Sequence, residues 1–210
     1  MKYNMIRKNL WNVAILLTTI TSYSYTHTTP TTEDLCASII NSTAYEFIAP
    51  ILDTFQSFLD KDNSTSFNTF VIKFEKIKNG FARKMADYED ELNQTEQTSS
   101  LPTNTIQFTH RIQPKFNRIF AILKKYNGKK SDQASAFSNE LLAEFDADVM
   151  FKEITSQLSV LFAQAKTENN KPLMKAINEL IALLKTKKSE MDKKSDKLSL
   201  FTGIVTRMRT

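Results

Sequence analysis

The sequence predicts an all-α protein: an antiparallel bundle of about five long amphipathic helices plus a short C-terminal helix. Three observations predict it. Apolar residues recur at steps of three and four over long stretches, the period of one helix face. Glycine is scarce, at 3 in 210 residues, and no turn pair joins two alternating runs, so hairpins lack a signal. The polar breaks between stripes are short, which favours antiparallel neighbours.

The first 24 residues stand apart. Lys2, Arg7 and Lys8 precede an apolar run, Leu10 to Ile20, which ends in Thr21-Ser22-Tyr23-Ser24. A charged start, roughly 7–15 apolar residues and small residues at alternate positions make a secretory signal peptide. Cleavage after Ser24 is expected, leaving Tyr25 as the mature N-terminus. A spanning helix needs about 20 apolar residues. This run falls short, and no later segment is expected to span, so no transmembrane segment remains after cleavage. Residues 25–32 are a Thr-rich lead-in expected to be a flexible tail. Residues 33–210 are expected to form a single helical domain.

The first helix is expected over 33–59, with Thr32 as N-cap and Glu33 and Asp34 in the first turn. Its stripe is Phe47, Ile48, Ile51, Leu52, Phe55, Phe58 and Leu59. Pro50 removes a backbone donor and should kink or split the helix near Ala49. After a polar turn at 60–65, the second helix is expected over 66–93. Its stripe of Phe67, Phe70, Val71, Phe74, Ile77, Phe81, Met85, Tyr88 and Leu92 is the cleanest in the chain. A polar loop is expected over 94–104. The third helix is placed over 105–126, with Pro114 marking its true start and Asn127-Gly128 its end.

Ser131 or Asp132 caps a long fourth helix reaching Glu168, with Phe137, Leu141, Leu142, Phe145, Val149, Ile154, Leu158, Leu161 and Phe162 on its apolar face. Asn169 to Pro172 is a turn, with Pro172 opening the fifth helix. That helix carries Leu173, Met174, Ile177, Leu180, Ile181 and Leu184, then becomes highly charged. A short amphipathic helix with Leu198, Phe201, Ile204 and Val205 ends the chain.

The formal net charge is +5, but residues 1–24 hold three of the basic residues and no acid. The mature chain is therefore close to neutral, which argues against a specific nucleic-acid role. Charge is uneven: residues 25–104 carry a net −6 and residues 105–210 a net +8. The sole cysteine, Cys36, excludes an internal disulfide. Burial in the first helix is its expected fate, and an intermolecular disulfide is the alternative.

Catalytic constellations are missing from the sequence. One histidine in the folded part, His110, and one cysteine do not make a zinc set, so no metal or other cofactor is expected. His110 reads as a helix-start residue on a polar turn. Glu140 and Glu144 are four apart on one helix surface, and Asp87, Glu89, Asp90 and Glu91 crowd the end of the second helix. Paired carboxylates in glycoside hydrolysis must face each other across a cleft in opposed environments, which one solvated surface does not provide. No enzyme is expected.

The candidate sites are few. Asn41, Asn63 and Asn93 begin Asn-x-Ser/Thr triplets, acceptors for N-glycosylation. Lys185, Lys187, Lys188, Lys193, Lys194 and Lys197 form a basic run, diluted by Glu190, Asp192 and Asp196, that could meet an anionic surface. Fifteen phenylalanines lie mostly on helical stripes, which is core spacing. The expected function is that of a secreted (periplasmic in a bacterium), non-enzymatic helical protein that binds an unknown extracellular protein. One alternative is a carrier of a small apolar ligand such as a fatty acid, held where Pro50 opens the bundle. The other is a membrane-surface or polyanion binder acting through the basic C-terminal segment.

Overall fold

The computed structural model describes residues 31–59, 66–95, 99–129, 131–144 and 147–194. The expected leader, nearly all of the Thr-rich lead-in and the C-terminal amphipathic helix lie outside the described residues. Among the described residues every regular element is helical, so the protein is an all-α bundle. From Thr32 onward the described residues cluster as one compact unit.

The described residues open with α1 (Thr32–Ser42), a π-helical stretch (Thr43–Ile48) and α2 (Ala49–Leu59) in direct succession. The expected break at Pro50 takes this form: the helix widens rather than ends. Pro50 has no N–H to give to the carbonyl four residues back, and its ring crowds that carbonyl. The Ala49 N–H reaches the Ala44 carbonyl, five residues back, so the extra residue per turn is absorbed just before the proline.

α3 (Phe67–Asn93) agrees with expectation. Ser66 is its N-cap, in an extended conformation, with its hydroxyl accepting from the Thr69 N–H at 3.2 Å. α4 (Leu101–Tyr126) corrects the reading of the third helix. It starts four residues early, with Pro102 in its first turn and Pro114 inside it. The first turn tolerates proline because its N–H groups lack intrahelical partners anyway. Pro114 sits on the exposed face, while Ile106, Thr109, Ile112 and Phe116 keep the buried stripe continuous past it. Gly128, at φ +74°, turns the chain out of α4, a conformation that glycine adopts without a side-chain penalty.

The expected single fourth helix is a short 3-10 turn (Ser131–Gln133), α5 (Ala134–Glu144) and α6 (Ala147–Thr167). Phe145 lies outside the described residues, and Val149, expected in the core, is 57 % exposed. α6 ends in a Schellman turn: Asn169 has φ 55°, its N–H bonds the Lys166 carbonyl, and the Asn170 N–H bonds the Ala165 carbonyl at 2.8 Å. Asn170 then caps α7 (Lys171–Lys194), its buried side chain accepting from the Leu173 N–H at 2.9 Å.

α1 is the central element, packed on α3, α4 and α7; α4 also packs on α3, α5 and α6, and α6 on α7. Its centrality follows from composition. Residues 32–58 have a mean hydropathy of 1.3 in their most apolar window, 61 % of which is buried. This corrects the expectation that no segment beyond the leader is long and apolar enough to span a membrane: by length and composition this helix is, and in the bundle its apolar face is the core. Phenylalanines fill that core. Phe47 stacks on Phe81 at 4.2 Å and meets Phe116 edge-on at 4.9 Å, and Phe58 stacks on Phe70 at 4.2 Å.

Candidate functional site

Two polar regions stand out. The first lies on the π-helical stretch. The Ser42 hydroxyl, 3 % exposed as a residue, lies 2.9 Å from the Tyr88 hydroxyl and donates to Glu46 Oε1 at 3.2 Å. Lys84 closes the set with an ion pair to the same Glu46 oxygen, and this bond raises the Lys84 pKa. Four side chains from α1, the π stretch and α3 thus satisfy one another.

The second is a groove between α4 and α6 with a volume of about 310 Å³. Asn104, Gln107, Arg111, Ser156, Gln157, Val160 and Gln164 line it, with Phe108 and Leu161 as its apolar backing. The helices run antiparallel here, because Asn104 bonds Gln164 at 3.1 Å while Lys115 pairs with Glu153. Between these two cross-links the polar groups do not close. Gln157 Oε1 is buried without a hydrogen-bond partner. Arg111 forms no ion pair with any described residue. Val160, 61 % exposed, borders the opening.

The residues singled out from the sequence are dispersed. Cys36 is buried at 1 % exposure, and burial pushes its thiol up to about 11. A disulfide to another chain would require it to leave the core. Asn41 is half-buried, with its Oδ1 lacking a partner, and Ser42 and Thr43 of the same triplet are buried. Asn93, expected in a turn, is the exposed last residue of α3. Asn63 lies outside the described residues.

The basic run is partly spent internally. Lys187 pairs with Asp53 at 2.6 Å and Glu190 at 3.0 Å, chiefly the former raising its pKa. Lys188 pairs with Asp148 at 2.8 Å. Lys185 is exposed. Lys193 and Lys194 end α7, and Lys197 lies outside the described residues.

Glu140, Glu144 and Glu89 have partners. Glu140 accepts from Lys125 at 2.6 Å and Tyr126 at 2.8 Å, which lowers its pKa and raises theirs. Glu144 pairs with Arg118 at 2.9 Å. His110 is not at a helix start. It sits within α4, with Nε2 2.7 Å from Glu89 Oε1 on α3. Among the described residues no three His, Cys, Asp or Glu side chains gather as a metal set.

Sequence reasoning missed Arg111 and Gln157. Each reads as a solvated position on its own helix, and only the packing of α4 on α6 places them in one groove. No family model, no curated protein and no solved structure matches the chain.

Proposed function

We propose that this chain is an exported, non-enzymatic helical protein that acts by binding a macromolecular partner. The observation that carries the reading is the α4–α6 groove, a polar surface on which Arg111 has no ion pair with a described residue and the buried Gln157 Oε1 behind it has no hydrogen-bond partner. Export rests on the charged start and apolar run of residues 1–24. The absence of catalysis rests on the dispersal of His110, Cys36, Glu140 and Glu144, the cysteine in the core and the others in separate surface pairs. The stacked phenylalanines favour a binding role at the surface over a carrier of an apolar ligand in the core. The internal pairs of Lys187 and Lys188 favour it over binding to an anionic surface through α7.

Mass spectrometry of the chain recovered from its producing cells tests export and carriage together. The expected product begins at Tyr25, lies outside the cytoplasm and has a native mass with no bound lipid. Specific turnover by the purified protein, or a co-purifying fatty acid, would overturn the reading.

A further inference from the structure

The α4–α6 groove has a definite electrostatic character. Its two cross-links are complete: Asn104 with Gln164 at one end, and Lys115 with Glu153 at the other. Lys115 and Glu153 cancel each other, so the uncompensated charge is that of Arg111, a single positive one. One guanidinium presents paired N–H donors that match a carboxylate. A dianion such as a phosphate monoester would leave a charge unpaired in a groove with no second free cation among the described residues.

The remaining lining is rich in amides, from Asn104, Gln107, Gln157 and Gln164. Side-chain amides both donate and accept, as a peptide group does. Gln157 Oε1 is buried without a donor, so a ligand N–H can satisfy it once the side chain turns outward into the groove. Exposed Val160 offers an apolar contact beside these groups. About 310 Å³ is near the lower end of the range for ligand sites, room for the end of a chain rather than a folded surface.

We propose that this groove captures the C-terminal carboxylate of an extended peptide. Arg111 holds the carboxylate, the Gln157 side chain turns outward so that its amide oxygen accepts a neighbouring peptide N–H, and Val160 packs against a terminal side chain. Capture of a chain terminus by a few convergent polar groups is a known mode of peptide recognition. The inference rests on the binding reading above and names its partner chemistry.

The test is fluorescence anisotropy of the full chain with fluorescein-labelled random tetrapeptides, in one pool with a free C-terminal carboxylate and in another with it amidated. The free-acid pool is expected to bind at least about tenfold more tightly, the loss a charge-assisted pair implies. Arg111→Gln should erase that preference, Gln157→Leu should weaken binding, and exposed Lys185→Gln should change neither. Circular dichroism should show all three variants folded. Equal binding of the two pools, a preference surviving Arg111→Gln, or N-acetylglycine binding as tightly as the peptides would overturn the proposal. The parent reading fails separately: a macromolecular complex detected by sedimentation that persists with Arg111→Gln removes this site and leaves the binding role standing.

Discussion

The face formed by α1, the π stretch and α3 and the face formed by α4 and α6 have similar ingredients and different outcomes. Both carry hydroxyl or amide groups beside one cation at a helix–helix seam. On the first, Ser42, Glu46, Lys84 and Tyr88 complete one another. On the second, the outer pairs close and the middle does not. A polar group satisfied within the chain contributes to stability, whereas an unsatisfied one lowers it. Sites that bind other molecules commonly carry such a deficit. Under the proposed function, the first face holds the fold and the second meets a ligand.

The largest effect is expected where the first face meets the core. Phe47→Ala removes the stack on Phe81 and the edge contact with Phe116, and should cost about 3–5 kcal/mol by chemical denaturation. A loss under about 1 kcal/mol would mean the core around the π stretch is not packed as described.

The next effect is alkaline. Cys36 is held as the neutral thiol, with its pKa raised from 9.0 to about 11. Between those values the folded chain binds more protons than the unfolded one, so stability falls as pH rises above about 9. The loss should reach about 2 kcal/mol near pH 11, and Cys36→Ala should flatten this part of the profile. Reaction of Cys36 with a thiol reagent should also be slow until the chain unfolds.

Two substitutions then set the faces against each other. Ser42→Ala on the closed face should lower stability by about 1 kcal/mol. Gln157→Leu on the open face replaces an unsatisfied acceptor with an apolar side chain, and should raise stability by roughly 0.5–1 kcal/mol while weakening ligand binding. The smallest effect belongs to Arg111→Gln, within about 0.5 kcal/mol of the parent in thermal melts, because the guanidinium has no ion pair among the described residues to lose. A large loss with Arg111→Gln would move that residue into the structural set and break the comparison.

The sequence made the two faces unequally legible. α3 is plain because its stripe is strictly periodic and Ser66 caps it. α4 is less plain because Pro114 reads as a helix start and Pro102 as part of a polar loop. Here Pro102 occupies the tolerant first turn, and the burial of Thr105, Ile106, Thr109 and Ile112 carries the helix through Pro114. Thr105 and Thr109 look polar in sequence, yet their hydroxyls return to the carbonyls of Leu101 and Ile106, so they join the core stripe. Pro50 announced a disturbance but not its form, since widening to a π stretch depends on tertiary packing.

Lys187 illustrates the harder part. Within its run it reads as free positive charge, and its partner Asp53 comes from α2, far away in sequence. The α4–α6 groove is illegible for the same reason: its halves lie on separate helices and neither half carries a motif.

Amide-resolved NMR of the full chain, titrated with the free-carboxylate tetrapeptide pool, tests the assignment of the open face most directly. Chemical-shift changes confined to residues 104–111 and 156–164, and absent with the amidated pool, are the predicted result. Changes centred on residues 42–48 and 84–88, or the same changes with both pools, would contradict it.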